Sequence, residues 1–197
     1  MKEDAIEIFR QNGGTLRMGE ALKRGIPRSR LYALRDSGKL ECLSRGLYRL
    51  QDLPEISDPD LVTVSARFSA GVLCLISALS FHDITTQIPH SLSLAVPRNT
   101  WCPEIDYPPV EYHQFSGKAY EAGIEIHKID GVEVKVYNVE KTLVDCFKYR
   151  NKLGMDVVLE ALKFYKEKKK FKVDKIMEYA QVCRVAKVMR PYLEVTL

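Results

Sequence analysis

Residues 26–50 constrain the fold of this chain more than any other part of the sequence. They read IPRSRLYALRDSGKLECLSRGLYRL. The proline at position 27 suits the first turn of a helix, where a missing N–H leaves nothing unpaired. Gly38 can end that helix, and two short apolar runs then flank a Ser44-Arg45-Gly46 bend. The pattern predicts a helix over residues 27–37, followed by strands over residues 40–43 and 47–50.

Two further helices and a short strand are predicted before this stretch. Apolar spacing indicates a helix over residues 2–12, which the Gly13-Gly14 pair ends. Residues 15–17 are predicted to form a strand, and residues 18–24 a second helix. Three helices and a two-stranded hairpin in this order describe a winged helix-turn-helix, so we predict such a domain over residues 1–54.

Positive charge is concentrated in this predicted domain. The whole chain has a formal net charge of +4. Nine bases but only three acids lie between residues 17 and 49. The bases are Arg17, Lys23, Arg24, Arg28, Arg30, Arg35, Lys39, Arg45 and Arg49. Such an excess on one small module is typical of a surface that binds a polyanion, although a solvated basic face without a partner would have the same composition.

The third helix has two different faces when its residues are placed at about 100° per residue. One face is apolar and should pack on the first two helices, and it consists of Pro27, Leu31 and Leu34. The opposite face is formed by Ser29, Tyr32 and Asp36, with Arg28, Arg30 and Arg35 at the flanks. A recognition helix needs this layout, because its outward side chains reach base edges while flanking cations hold phosphates. We therefore predict that the DNA contacts are Arg17, Arg28, Ser29, Arg30, Tyr32, Arg35, Lys39, Arg45 and Arg49.

The remainder of the chain is predicted to form a second domain. Residues 52–60 contain two prolines among acids and serine, which indicates a linker. Residues 60–197 then form a mixed α/β domain that ends in helices, so the fold class is α+β. Asp130-Gly131 between two alternating apolar runs predicts a hairpin of residues 124–129 and 132–137. The other predicted strands are 92–96 and 110–115, and the predicted helices are 61–68, 72–82, 139–152, 155–170 and 173–188.

A known family shares these sequence features. Residues 13–50, which begin GGTLRMGEALKRGIPRSRLYALRD, resemble the winged-helix domain of AbiEi-type antitoxins and transcriptional regulators. Three later stretches resemble the C-terminal domain of the same family. They are ISALSFHDITTQIPHSLSLAVPR (76–98), IDGVEVKVYNVEKTLVDCFKYRNKLGMDVVLEAL (129–162) and YAQVCRVAKVMRPYLE (179–194).

The resemblance implies a function. AbiEi proteins are antitoxins of bacterial toxin–antitoxin systems that act in abortive phage infection. They repress their own operon by binding inverted repeats of double-stranded promoter DNA. Their functional partner is AbiEii, a nucleotidyltransferase-like toxin, which they counteract through the C-terminal domain without a stable complex. A plain winged-helix regulator without a toxin partner is the alternative within the same class.

A second group of basic residues lies near the end of the chain. Such a run usually forms a solvated helix end, because lysines in a last turn suit the helix dipole. A second contact to nucleic acid is the other interpretation. The residues considered for it are Lys166, Lys168, Lys169, Lys170, Arg184 and Lys187.

A metal-dependent nuclease is the alternative to a DNA-binding regulator. The tripeptide Glu133-Val134-Lys135 on a predicted strand, with Asp106 and Asp130 upstream, resembles the site of a metal-dependent nuclease. The outer face of a hairpin carries such charges without any catalytic role, so we expect no catalytic residues, no metal and no cofactor. His82 is expected to be a satisfied, half-buried residue. Asp145 is expected to be a structural acid that is buried or paired with lysine.

Sequence features also bear on location. The most apolar stretch, residues 70–81, is too short to cross a bilayer. Charged residues directly after Met1 do not resemble a secretory signal. The five cysteines are scattered without a C-x-x-C pair. We therefore expect a cytoplasmic protein without a membrane partner.

Overall fold

The computed structural model describes residues 4–168 and 171–196, and its fold is mixed α+β. The contacts within the chain define two compact units. The first unit is Met1–Ser69 together with His127–Val134, and the second is Ala70–Ile126 together with Lys135–Leu197. The sequence predicts a DNA-binding domain over residues 1–54 and a second domain over residues 60–197, and these limits stay predictions.

The first unit contains four helices and a three-stranded sheet among its described residues. In chain order its elements are α1 (Ala5–Gln11), β1 (Thr15–Arg17), α2 (Met18–Lys23), α3 (Arg28–Asp36), β2 (Leu40–Ser44), β3 (Leu47–Leu50) and α4 (Pro59–Arg67). The sheet is antiparallel with the strand order β1-β3-β2, so β3 is its central strand. The predicted order of helices and strands over residues 1–54 is confirmed.

The core of the first unit lies between its helices and this sheet. Phe9 and Leu31 are completely buried, and Leu34 is 3% exposed. These apolar side chains recur at helical spacing, so their burial holds α1 and α3 against the sheet. Pro27 differs from the prediction. It is exposed at the N-cap of α3, whereas Leu31 and Leu34 are buried.

The turn of a hairpin from the later part of the chain completes the first unit. Asp130 and Gly131 both have positive φ, at 47° and 83°, as a two-residue type I′ turn requires. The Thr15 hydroxyl donates to the Asp130 carbonyl at 2.8 Å. The backbone N–H and hydroxyl of Ser57 both donate to Asp130 Oδ2, at 3.1 and 2.8 Å. A Cβ built on Gly131 would lie 2.3 Å from the Gly13 carbonyl oxygen, so the two backbones are in direct contact.

The remaining elements continue the chain from Val72. They are β4 (Val72–Leu73), α5 (Leu75–Phe81), β5 (Leu92–Pro97), β6 (Val110–Phe115), α6 (Lys118–Glu121), β7 (Ile124–Ile129), β8 (Val132–Tyr137), α7 (Val139–Lys148), α8 (Arg150–Leu153), α9 (Met155–Glu167), α10 (Val173–Val182) and α11 (Ala186–Thr196). The strands form one sheet with the order β6-β5-β4-β8-β7. Strand β5 pairs in parallel with β6 and antiparallel with β4.

Three of the predicted helices have different limits. The predicted helix over residues 72–82 begins as strand β4, where Val72 and Leu73 pair with Ala95 and Leu94. A short apolar run has no periodicity that separates a buried strand from a buried helix, which explains the error. The predicted helix 139–152 ends at Lys148, and the predicted helix 173–188 ends at Val182. In the second case Arg184 has a φ of 62°, which a continuous helix does not allow.

Helix α7 lies at the centre of the second unit. Leu143, Val144 and Phe147 are completely buried. Lys141 and Asp145 are buried on the same helix and form an ion pair, so the predicted burial and lysine pairing of Asp145 are confirmed. His82 lies beside this core with Nε2 2.7 Å from the Tyr137 carbonyl oxygen, which confirms a satisfied, half-buried histidine.

Across residues 4–168 and 171–196, no helix combines the length and apolar character that crossing a bilayer would require.

Candidate nucleic-acid interface

Helix α3 presents a polar, basic side to solvent. The buried residues of α3 follow helical spacing. Leu31 and Leu34 point inward, and the positions between them are exposed. Arg28, Ser29 and Arg30 occupy the first turn and are all exposed. Tyr32 follows with 40% of its surface exposed. Polar side chains near the start of an exposed helix can reach the edges of bases in a major groove.

The last turn of α3 has an internal ion pair. Arg35 donates two hydrogen bonds to Asp36 Oδ1, at 2.9 and 2.8 Å. These contacts raise the pKa of Arg35, because Asp36 stabilises the charged guanidinium. The guanidinium carbon also lies 5.2 Å from the centre of the Tyr32 ring. Asp36 therefore partly neutralises Arg35, and the arginine is oriented along the exposed side of the helix.

Two other cations at α3 are exposed. Arg30 lies 3.7 Å from Asp4, and both side chains remain more than half exposed. Water and salt screen such a pair strongly, so a phosphate can replace Asp4 at little cost. Lys39 follows the helix and is exposed.

The hairpin of β2 and β3 supplies one more exposed cation. Arg45 is exposed at its bend. Gly46 follows with a φ of 79°, which glycine adopts without steric cost. A hairpin that ends in an exposed arginine has the shape and charge of a wing that contacts phosphates or a minor groove.

The prediction that Arg49 belongs to the DNA interface is wrong. It is 4% exposed, its Nη1 lies 2.9 Å from Glu41 Oε1, and its Nη2 donates to the Pro54 carbonyl. Arg49 lies on the central strand β3 between Thr15 of β1 and Glu41 of β2, and all four residues of β3 are buried. Arg49 is not accessible to DNA, and we remove it from the interface.

Arg17 also lies in a different setting from the exposed side of α3. It is half-buried at the end of β1 and lines a cleft of the first unit. Burial lowers the pKa of Arg17, with Glu20 opposing this shift and Arg67 adding to it. The residues that remain exposed together form what we call the α3–hairpin surface. They are Arg28, Ser29, Arg30, Tyr32, Arg35, Lys39 and Arg45.

The basic residues near the end of the chain are exposed where the structure describes them, and one of them has a hydrogen bond within the protein. Lys166, Lys168, Arg184 and Lys187 are exposed, and Lys169 and Lys170 lie outside the described residues. Lys168 Nζ donates to the His82 carbonyl at 2.7 Å. The exposed cations come from the end of α9, the α10–α11 connection and α11.

The residues of the nuclease hypothesis do not assemble into a metal site. Asp130 Oδ2 is occupied by the two hydrogen bonds from Ser57. Glu133 is exposed on β8. Among the residues that the structure describes, no group of three or more His, Cys, Asp or Glu side chains could hold a metal ion.

The protein therefore has a mixed α+β fold, and its first unit exposes a basic helix and the basic tip of a hairpin. Residues 3–51 match the sequence profile of a family described as "Transcriptional regulator, AbiEi antitoxin". The resemblance to AbiEi antitoxins that the sequence indicated is confirmed over these residues. No curated protein matches the chain.

The fold is similar to that of solved structures such as the crystal structure of the RV2827C protein from Mycobacterium tuberculosis, with a TM-score of 0.57 and 15% sequence identity. The match covers 90% of this chain and 69% of the other. At this identity the likeness concerns the fold alone.

Proposed function

We propose that this protein is a DNA-binding transcriptional autorepressor and antitoxin, and that its first unit is a winged helix-turn-helix domain. The observation that carries the proposal is the α3–hairpin surface, which lies entirely within the segment that matches the AbiEi profile. In this proposal α3 enters the major groove, and Arg45 contacts the backbone or the adjacent minor groove.

The individual side chains then have distinct roles. Arg28 and Ser29 lie in the first turn of α3 and contact base edges or the nearest phosphates. Arg30 exchanges its weak contact with Asp4 for a phosphate. Tyr32 and Arg35 lie one above the other and form a flat, cationic part of the surface.

The antitoxin role is supported by the sequence resemblance in the later part of the chain. The proposed partner is a nucleotidyltransferase-like toxin of the AbiEii type, which this protein counteracts without a stable complex. The proposed DNA target is an inverted repeat in the promoter of its own operon, and the proposed site of action is the cytoplasm. Lys166, Lys168, Arg184 and Lys187 form a proposed second nucleic-acid contact, to which Lys169 and Lys170 would belong by sequence.

DNA binding is tested by titrating the full-length protein with the DNA upstream of its own gene at several salt concentrations. Arg28→Ala and Arg45→Ala should each weaken binding by roughly tenfold, and each lost phosphate contact should reduce the salt slope by about 1. Arg98→Ala is the matched control, because Arg98 is also exposed but lies in the second unit. Equal affinity and an equal salt slope for all four proteins would refute the assignment of this surface.

The antitoxin role is tested separately by co-expression. The protein should restore growth of bacteria that express a nucleotidyltransferase-like toxin from the neighbouring gene. Repression without rescue would favour a plain winged-helix regulator.

A further inference from the structure

A polar cleft of about 320 Å³ lies within the first unit, apart from the residues of the α3–hairpin surface. All of its lining residues belong to Met1–Ser69 or His127–Val134. Its volume is at the lower end of the range found for small-molecule sites, which is roughly 300–1,000 Å³. The chemistry of the lining decides what such a site can bind.

Three cations from three different elements line the cleft. They are Arg17 of β1, Arg24 after α2 and Lys128 of β7. Arg24 Nε donates to the Asn12 side-chain carbonyl at 3.1 Å, and this neutral amide orients the guanidinium without neutralising it. Arg17 loses hydration by burial, which lowers its pKa. Arg24 and Lys128 are exposed and Arg17 is half-buried, and three like charges around one cleft favour an anion between them.

Two carboxylates and an apolar surface complete the lining. Glu20 Oε2 accepts from the Arg17 backbone N–H at 3.3 Å, so this side chain is used in capping α2. Glu133 lies on the adjacent strand β8 and is exposed, where it can accept hydrogen bonds from a ligand. Leu16, Leu47 and Val132 supply the apolar part.

The walls of the cleft are held in place before any ligand arrives. Thr15 and Ser57 both donate hydrogen bonds to Asp130, which fixes the β7–β8 turn against β1. Gly13 and Gly131 are in backbone contact at the same place. A preformed site loses little conformational entropy when a ligand binds, and this small loss favours higher affinity for a small ligand.

We propose that this cleft binds a nucleoside phosphate. The phosphate would lie among Arg17, Arg24 and Lys128, a ribose hydroxyl or base amine would donate to Glu133, and the flat base would lie against the apolar residues. Inorganic phosphate uses only the cations, and a nucleoside uses only Glu133 and the apolar part. The proposal therefore requires both halves of the ligand.

The proposal is tested by isothermal titration calorimetry of the full-length protein with ATP, GTP, AMP, adenosine and inorganic phosphate. At least one nucleotide should bind with a Kd below about 1 mM, and adenosine and phosphate should each bind at least tenfold more weakly. Lys128→Ala and Arg24→Ala should weaken nucleotide binding at least tenfold. Lys118→Ala is the control, because Lys118 is exposed and lies in the second unit.

Two results would overturn the proposal. One is that no nucleotide binds to a protein whose circular dichroism shows it to be folded. The other is that Lys128→Ala and Arg24→Ala leave nucleotide binding unchanged or weaken only DNA binding, which would assign these cations to the DNA interface. Arg28→Ala separates the two functions, because it should weaken DNA binding and leave nucleotide binding intact. Glu133→Gln provides a second test on an exposed residue, and it should weaken nucleotide binding but not phosphate binding.

Discussion

Each charge of the buried ion pair of Lys141 and Asp145 should need the other as its partner for the second unit to be stable. Lys141 is 0% exposed and Asp145 is 1% exposed, and their charged atoms are 2.5 Å apart. The ammonium also lies 4.2 Å from the centre of the Tyr137 ring and 5.0 Å from that of Phe115. Cys183 Sγ lies 3.5 Å from the second carboxylate oxygen, so both ions have polar or aromatic partners on several sides.

Replacing one ion leaves the other buried without its counter-charge. For Lys141→Met we expect a loss of about 3–5 kcal/mol in the free energy of unfolding at pH 7.5, which is typical of breaking a buried pair. Domains are stable by only about 5–15 kcal/mol, so this loss is a large fraction of the total. The double variant Lys141→Met, Asp145→Leu should recover most of the loss, because neither charge then remains in the core.

The loss of stability caused by Lys141→Met should also depend on pH. Burial raises the pKa of Asp145 to about 6, with Lys141 and Cys183 opposing the shift. The folded state therefore holds this proton more tightly than the unfolded chain does. The stabilising contribution of the protonated carboxyl is largest below about pH 4 and is lost as the pH rises through 6. Without Lys141 the pKa should rise further, so the penalty of Lys141→Met should be smaller at pH 5 than at pH 7.5.

Urea unfolding followed by far-UV circular dichroism at pH 5 and 7.5 measures these differences. Glu178→Gln is the matched control, since Lys175 and Glu178 form a 2.8 Å pair on a solvent-exposed helix side and should contribute nothing measurable. A loss below about 1 kcal/mol for Lys141→Met at pH 7.5 would refute the argument. A double variant that is less stable than either single variant would refute it as well.

Two further predictions concern local structure. Gly131→Ala should lower the thermal unfolding temperature markedly, because its Cβ would lie 2.3 Å from the Gly13 carbonyl oxygen. Gly25→Ala, at a similar positive φ but with no atom within 4 Å of the new Cβ, should lower it much less. Asn138→Ala should cost about 1 kcal/mol in urea unfolding, because the Asn138 side chain accepts the Lys141 N–H at 2.9 Å and caps α7.

The sequence predicted the local elements of the first unit well. Glycines and proline mark the ends of its helices, and the apolar spacing of Leu31 and Leu34 identifies the buried side of α3. These signals act over a few residues, so they can be read without the tertiary structure. The exposed residues of α3 were predicted for the same reason.

The errors came from features that depend on long-range pairing. Arg49 was predicted to contact DNA because nothing in the sequence shows that β1 pairs with β3 on the side opposite to β2. Strand β4 was assigned to a helix because its two residues become a strand only through pairing with β5 and β8. Tertiary pairing decides such segments, and local propensity does not.

The β7–β8 turn shows most clearly that short-range sequence signals do not predict tertiary contacts. Asp130-Gly131 was correctly predicted as a turn from two residues, but its contacts with Thr15 and Ser57 join residues 115 and 73 positions apart. The family profile ends at residue 51, whereas the compact unit also includes residues 127–134. Lys128 and Glu133 enter the cleft only through this turn. The proposed nucleotide site is therefore a property of two distant segments, and Gly131→Ala should weaken nucleotide binding as well as stability, because the Gly13–Gly131 contact holds one wall of the cleft against the other.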